Sequence, residues 1–322
     1  MNTSPSHFET FFQLDSDDTN PATARYHIIP VPYEGTVCFL RGTGEGPKAI
    51  LGVSDQMEYF DEETLQEYFR AGIVTHLPIP SAETPPLQMQ RIYETVKRFD
   101  LFAESRFPIF LGGEHSITAP IVQAAKERHE KLAVLQIDAH ADLRNEFTGG
   151  VHSHAAVMRR VLEITPHLVQ VGIRSFSVEE YRQCPEQIRR IITPKMVQND
   201  FQFALDRILY GLYGNVYITI DMDGFDPALA PGVGTPEPGG LLWNQVIAIL
   251  KRVFQEKNVI GADIVETLPL GGGNIITEFL AARLAGKIMA YDYARRTGIT
   301  DTKNLTGKTG KNSRKLSEEK TQ

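Results

Sequence analysis

The chain has 322 residues, of which 42% are hydrophobic and 23% are charged, and its formal net charge is −7. These values are typical of a globular protein with enough apolar side chains for an extensive core. The acidic balance argues against nucleic acid as the main partner.

The two ends of the sequence differ from its middle. Residues 1–22 are rich in Ser, Thr and Asp and are predicted to form an N-terminal extension, with one amphipathic patch at Phe8–Leu14. Residues 299–322 are almost wholly polar and are predicted to form a disordered tail. Residues 23–298 contain no Pro/Ser-rich linker and no internal repeat, so we expect them to form a single domain.

No sorting or membrane segment is predicted. The amino terminus lacks a basic start followed by an apolar core, and no apolar run approaches the length of a membrane span. The two cysteines, Cys38 and Cys184, have no metal-type spacing and do not indicate a disulfide. We therefore expect a cytoplasmic protein without a membrane partner.

Strand and helix patterns alternate through the middle of the chain, as is typical of parallel βαβ units. The helical patterns are Pro86–Glu104, Ala119–His129, Ala155–Ile164 and Asn244–Lys257. Apolar runs at Phe107–Leu111, Leu132–Ile137, Val216–Ile220 and Val259–Val265 are typical of buried strands.

Three of these strands are followed at once by polar residues. The first precedes Gly-Gly-Glu-His-Ser at 112–116, where the glycines permit a tight turn before a helix near Ser116. The second precedes Asp-Ala-His-Ala-Asp at 138–142, and the third precedes Asp-Met-Asp-Gly-Phe-Asp at 221–226. Since ligands bind beyond the carboxyl ends of strands in open α/β sheets, we expect these groups to converge on one crevice.

Several carboxylates in one crevice would repel each other unless cations held them together. Oxygen ligands with one or two imidazoles suit Mn²⁺ or a similar divalent ion. Asp-x-His-x-Asp alone is equally compatible with a solvated loop, and Asp-x-Asp-Gly with a turn or a calcium loop. The stretch Asp221-Met222-Asp223-Gly224 lacks the spaced ligands of an EF-hand, however. All three groups also follow separate strands, which favours a metal site.

These motifs resemble those of the ureohydrolase family, which includes arginases and agmatinases. The resemblance rests on the three groups above, on Ser153-His154-Ala155, and on Asp226-Pro227 after the last group. The segments Val31–Thr36, Arg41–Thr43, Gly46–Ile50 and Ala230–Leu241 look most like the agmatinase branch. The matches run from about residue 26 to residue 293 in the family's order.

The resemblance implies a three-layer α/β/α fold with a mainly parallel sheet, shared by arginases and deacetylases. It also implies two divalent ions per chain, Mn²⁺ or alternatively Ni²⁺, and a homo-oligomer, either a trimer or a hexamer. By motif position, one ion would be held by His115 and Asp142 and the other by His140 and Asp223, with Asp138 and Asp221 bridging both. Asp226 would either orient a ligand or cap the turn before Pro227.

Two further residues match family positions with catalytic roles. Glu266 ends the fourth apolar run and matches the glutamate that grips a guanidinium, a planar partner for a planar carboxylate. His154 matches the histidine proposed to pass a proton to the departing amine, a task suited to imidazole near neutral pH. His152, two residues away, is a rival for that role. The alternative role of Glu266 is an ordinary salt bridge at a strand end, and that of His154 is a helix cap.

The family implies hydrolysis of a guanidino compound to urea and an amine, and the agmatinase-like segments favour agmatine, giving putrescine. Arginine, guanidinobutyrate and guanidine stay open as substrates. The chain has Gly272 where the family pattern has an Asp, and its loop Leu143–Ser153 does not reproduce the arginase pattern; Glu146 is a candidate partner for a cationic substrate end. A non-catalytic metal-binding scaffold and a single-metal, deacetylase-like amide hydrolase are the rival functions.

Overall fold

Seven strands form one sheet in the computed structural model, which describes residues 9–14, 18–148 and 150–298. The order across the sheet is β2-β1-β3-β7-β6-β4-β5, and every neighbouring pair is parallel. The strands are β1 (Tyr26–Val31), β2 (Ile73–Thr75), β3 (Phe107–Gly112), β4 (Leu132–Ile137), β5 (Leu168–Val171), β6 (Asn215–Asp221) and β7 (Asn258–Val265). The predicted parallel sheet is confirmed.

Ten α-helices accompany these strands in the described part of the chain. They are α1 (Gly46–Ser54), α2 (Pro85–Arg98), α3 (Thr118–Arg128), α4 (Val157–Ile164), α5 (Val178–Gln183), α6 (Pro185–Arg190), α7 (Pro194–Asn199), α8 (Phe201–Gly211), α9 (Trp243–Glu256) and α10 (Ile276–Thr297). Short 3-10 helices precede α3 at His115–Ile117 and α4 at His154–Ala156, and another follows β6 at Met222–Gly224.

The sheet separates two apolar cores, because successive residues of a strand point to opposite faces. In β4, Leu135 packs in one core with residues of α9 and α10, whereas its neighbour Val134 packs in the other with residues of α2, α3 and α4. Each strand is therefore apolar on both faces, which is why the sequence shows continuous apolar runs rather than alternation. The three-layer α/β/α prediction is confirmed.

The predicted helices were correct in place but not always in extent. The helix predicted over Pro86–Glu104 ends at Arg98, because the chain turns there and Asp100 adopts a left-handed φ of 44°. The helix predicted from Ala155 starts as a 3-10 turn and becomes α-helical only at Val157.

Part of the predicted extension packs against the domain. Phe11 and Phe12 are buried in the core that α9 and α10 share. Their backbone N–H groups donate to Thr75 Oγ1 at 2.9 Å and to Ser54 Oγ at 3.0 Å. The domain boundary after residue 22 stays a prediction, and the tail at 299–322 lies outside the described residues. Among the described helices, none has the length and apolar character needed to cross a bilayer.

Candidate metal centre and active site

Four neighbouring strands bring the candidate site residues to one edge of the sheet. In sheet order these strands are β3, β7, β6 and β4, and a polar group follows the carboxyl end of each. A cavity of about 280 Å³ opens at this edge. It is lined by seven of the eight predicted site residues, His115, His140, Asp142, His154, Asp221, Asp223 and Glu266. The eighth, Asp138, is fully buried beneath them and contacts His115.

The imidazole of His115 lies at the centre of three carboxylates. Its Nδ1 is 3.1 Å from an oxygen of Asp138, 3.3 Å from one of Asp142 and 3.3 Å from one of Asp221. All four side chains are buried, yet among the described residues Nδ1 has no hydrogen-bond partner of proper geometry. A buried nitrogen that faces carboxylate oxygens without bonding to them is suited to share a cation with them.

A second group of ligand atoms lies beside the first. His140 Nδ1 is 2.9 Å from Asp223 Oδ2 and 3.8 Å from Asp138 Oδ1, and Asp138 belongs to both groups. Backbone N–H groups fix these carboxylates, since Ala139 donates to Asp223 at 3.1 Å and His140 donates to Asp138 at 2.6 Å. The arrangement provides two adjacent sites that share Asp138.

The protonation state of His115 is fixed from below by a hydroxyl and a carboxylate. Nε2 of His115 lies 2.8 Å from Thr219 Oγ1, which is 2.5 Å from Asp263 Oδ1. An ionised carboxylate only accepts, so the single hydroxyl proton of Thr219 goes to Asp263 and Thr219 accepts from Nε2–H. His115 therefore keeps a proton on Nε2, which leaves Nδ1, the nitrogen that faces the carboxylates, as the atom that can bind a metal ion.

The electrostatics of the site show that it needs positive charge. Burial and the carboxylates of Asp142 and Asp223 raise the pKa of Asp138 to about 7. Burial, followed by Asp223 and Asp138, raises the pKa of Asp221 well above its usual range. Burial lowers the pKa of His140, but the Asp223 carboxylate outweighs this and raises it to about 11. Divalent ions bound among these groups would supply the missing charge.

The donor set fits two hard divalent ions. It comprises four carboxylates and two imidazoles, His115 supplies an orphaned buried nitrogen, and no thiolate lies among the ligands. Carboxylate and imidazole ligands suit Mn²⁺ and similar ions, whereas thiolates favour zinc or copper.

Two residues of the site hold a backbone conformation that side chains rarely adopt. Asp142 has a φ of 53° and Glu266 a φ of 62°. The backbone N–H of His115 donates to Glu266 Oε1 at 2.8 Å, and that of Glu266 donates to the Gly113 carbonyl at 2.8 Å. Burial, and then the nearby Glu114, raises the pKa of Glu266 well above its usual range. The turn aims this carboxylate into the cavity.

The two rival histidines occupy different places. His154 lines the cavity, and its Nε2 lies 3.7 Å from Cys38 Sγ at the mouth. His152 is not among the described residues that line the cavity. Asp226 accepts backbone N–H groups from Ala228 at 3.0 Å and from Gly239 and Gly240 at 3.0 and 3.1 Å. Its contacts are therefore those of a turn-capping residue rather than of a group that orients a ligand.

Comparison with known proteins agrees with this geometry. The model of the arginase family matches residues 24–291 of the chain. The chain belongs to the arginase family. It is 38% identical over 278 residues to N(1)-aminopropylagmatine ureohydrolase from Synechocystis sp., which covers 85% of this chain and 90% of that protein. It is 36% identical over 254 residues to agmatinase from Halalkalibacterium halodurans, covering 75% and 83% of the two chains.

A solved structure of the family has the same fold. Proclavaminate amidino hydrolase from Streptomyces clavuligerus superposes with a TM-score of 0.80 at 27% identity, covering 90% of this chain and 98% of that one. The predicted ureohydrolase resemblance is thus confirmed, and the chain is a metal-dependent amidinohydrolase of the arginase family. The names of these three relatives differ in the guanidino compound, so membership alone does not fix the substrate.

Sequence reasoning missed several residues that shape this arginase-family site. Arg174 donates to the backbone carbonyls of Asp223 at 2.8 Å and Glu237 at 2.6 Å, and so holds two loops of the cavity wall together. Nothing in the sequence near Arg174 indicated this role. Asp263 did carry a signal, because a carboxylate inside the apolar run of β7 must be buried and needs hydrogen-bond donors.

Proposed function

We propose that this protein hydrolyses a guanidino compound with an amine at its far end, releasing urea. The observation that carries the proposal is the placement of Glu266 and His154 on the wall of the cavity whose floor is the histidine and aspartate cluster. A guanidinium is a poor electrophile with an amine leaving group, so its hydrolysis needs an activated water, a group that fixes the guanidinium, and a proton donor.

His115, Asp138 and Asp142 would hold one metal ion, and Asp138, His140 and Asp223 the other. Asp221 lies 3.3 Å from His115 Nδ1 and would serve as the second bridging carboxylate. Two ions held by these residues would lower the pKa of a water molecule, which would then be the nucleophile. We propose Mn²⁺ on the basis of the donor set, with Ni²⁺ as the alternative.

The remaining two residues would act on the substrate itself. The carboxylate of Glu266 can pair with a planar guanidinium through two parallel hydrogen bonds and so fix its carbon above the cluster. His154 would donate the Nε2 proton to the departing amine nitrogen, which then leaves as a neutral amine.

The mouth of the cavity suits a cationic substrate end. Phe39, Phe147 and Phe176 line it, and Phe39 and Phe176 are exposed to solvent. Aromatic faces attract ammonium groups. Arg144 also lines the mouth, and its guanidinium lies over the Phe147 ring, 4.8 Å from the centroid, so Phe39 and Phe176 are the rings left for the substrate amine. Glu146 is not among the described lining residues, so aromatic rings are better supported than Glu146 as partners of the amine.

Agmatine, which would give putrescine and urea, is the first candidate substrate of this kind. N1-aminopropylagmatine, which would give spermidine and urea, is a second candidate, because the relative at 38% identity bears that name and the aromatic mouth is open to solvent. Both candidates have a cationic amine end, whereas arginine carries a carboxylate next to its amine.

A urea-release assay on the Mn²⁺-loaded protein tests the proposal. We expect kcat/KM for agmatine or N1-aminopropylagmatine to exceed that for arginine by at least tenfold, and guanidinobutyrate and guanidine to be poorer still. Arginine as the best substrate would contradict the amine-ended assignment. Metal analysis separates two of the functions, since two ions per chain fit the hydrolase and one fits a deacetylase-like enzyme, whereas a metal-binding scaffold would bind ions and release no urea from any guanidino compound. The trimeric or hexameric state and the cytoplasmic location stay predictions.

A further inference from the structure

A second hydroxyl–carboxylate pair lies behind His154, in motifs to which the reaction assigns no role. Glu114 of the Gly-Gly-Glu-His-Ser motif is fully buried and receives four hydrogen bonds. The donors are Gly35 N at 2.7 Å, Thr36 N at 2.6 Å, Thr36 Oγ1 at 2.8 Å and Ser116 Oγ at 2.5 Å. Four donors saturate an ionised carboxylate, so Glu114 is an acceptor in every one of these bonds.

The contacts of Glu114 fix the direction of the hydrogen bonds around Thr36. The hydroxyl of Thr36 has one proton, which goes to Glu114. Its two lone pairs face the backbone N–H and the side-chain Nδ1 of His154, both at 3.1 Å. Nδ1 of His154 must therefore carry a proton and donate it to Thr36. The other ring nitrogen, Nε2, points to the cavity mouth beside Cys38.

We propose that Thr36 and Glu114 are positioning residues that hold His154 in the one orientation and tautomer that expose Nε2 to the substrate. This inference rests on the proposed role of His154 as proton donor. Thr36 accepts from Nδ1–H whether the ring is neutral or cationic, so His154 can gain or lose its Nε2 proton without rotating.

The backbone around Gly113 brings Thr36 and Glu114 together. The Glu114 N–H donates to the Tyr33 carbonyl at 2.9 Å, which lays the segment 33–36 directly over the turn that follows β3. A side chain at Gly113 would overlap the Tyr33 carbonyl, so this approach requires glycine. The same turn therefore presents His115 to the metal cluster and Glu114 to the support of His154.

Replacement of the Thr36 hydroxyl tests the proposal. In Thr36→Val, which keeps the shape, we expect kcat for the best guanidino substrate to fall by roughly tenfold to a hundredfold, part of the effect of losing a general acid. KM and the metal content should change by less than about twofold, because Thr36 does not contact the predicted ligands. Thr36→Ser, which restores the hydroxyl, should recover most of the lost rate.

Thr165→Val is the matched control. Thr165 is equally buried, and its hydroxyl donates to the Leu132 carbonyl at 2.6 Å, away from the cavity. Both valine variants should lose similar thermal stability, but only Thr36→Val should lose turnover. Equal turnover in the two variants, or a loss in Thr36→Val that Thr36→Ser fails to recover, would overturn the proposal.

Two further measurements separate this proposal from the role of His154. Imidazole ¹⁵N NMR, assigned with His154→Asn, should show Nδ1–H on His154 in the unaltered protein and a changed tautomer ratio in Thr36→Val. Adding Thr36→Val to His154→Asn should cause no further loss of kcat, whereas a purely structural role predicts additive losses. If His154→Asn keeps full activity while Thr36→Val alters the tautomer, the proton-donor role fails. If His154→Asn is inactive and Thr36→Val leaves both tautomer and rate unchanged, the positioning role fails.

Discussion

Thr219→Val should weaken binding of one metal ion without touching a ligand. Valine has nearly the shape of threonine but accepts no hydrogen bond, so the buried Nε2–H of His115, now 2.8 Å from Thr219 Oγ1, would lose its acceptor. Metal binding requires the lone pair on Nδ1 and hence the proton on Nε2. The variant therefore disfavours the very tautomer that binds the ion.

The size of the effect follows from the burial of this nitrogen. His115 is 1% exposed, so water cannot replace the lost acceptor. A buried donor left without a partner costs about 1–3 kcal/mol. In the metal-free protein the ring can carry its proton on Nδ1 instead, which removes the unpaired donor. The metal-bound protein cannot do so, and therefore most of the cost lowers the affinity for the ion. We expect affinity for the ion near His115 to fall by roughly tenfold to a hundredfold, which is about 1.4–2.8 kcal/mol.

Competitive titration of Mn²⁺ against a chelator would measure this change. Thr118→Val is the control, since the Thr118 hydroxyl donates to the same Asp263 at 3.0 Å but does not bond to His115. We expect less than about threefold loss of affinity in the control. Affinity within twofold of the unaltered protein in Thr219→Val would refute the reasoning, as would equal losses in the two variants.

Four other predictions follow from the sequence and the structure. Asp138→Asn should abolish activity and lower metal content, because this residue belongs to both ligand groups; full activity with two ions would contradict its bridging role. His154→Asn should lower kcat on the order of a hundredfold with metal content unchanged, and His152→Asn should do much less, as steady-state kinetics would show. Burial lowers the pKa of His27 from 6.5 to about 4, so protons favour the unfolded state and stability should fall as pH drops from 6.5 to 4, at most about 1.4 kcal/mol per unit. Urea unfolding of the metal-free protein at pH 7 and at pH 5 would measure this loss, and the free energy of unfolding should fall less in His27→Asn than in the unaltered protein. Truncation after Gly298 should leave Tm and turnover unchanged, and a large loss of either would show that the tail docks.

The sequence predicted that the candidate metal ligands lie together, because they occur in short runs at strand ends. Asp138, His140 and Asp142 follow one apolar run, and the parallel sheet brings them to His115 and Asp221, which follow two others. The hydrophobic pattern fixes the strands, and the strand ends fix where the ligands meet. The local sequence pattern and the sheet topology agree here, so a few short motifs were enough to predict where the candidate ligands lie.

The supports of the site could not be predicted in the same way. Thr36 and His154 are 118 positions apart, and Thr118 and Asp263 are 145 apart. Such contacts depend on how loops cross the sheet edge, and no sequence periodicity encodes that. The end of α2 at Arg98 escaped prediction for a local reason, since Asp tolerates the left-handed conformation that Asp100 adopts.

The left-handed conformations of Asp142 and Glu266 predict a conflict between activity and thermostability. Each conformation costs on the order of 1–3 kcal/mol, and glycine would relieve most of that cost. Glycine at either position is therefore expected to raise the thermal stability, and it would remove a predicted metal ligand at 142 or the predicted guanidinium partner at 266. If the two predicted roles are correct, selection for turnover keeps both residues although a more stable fold is available.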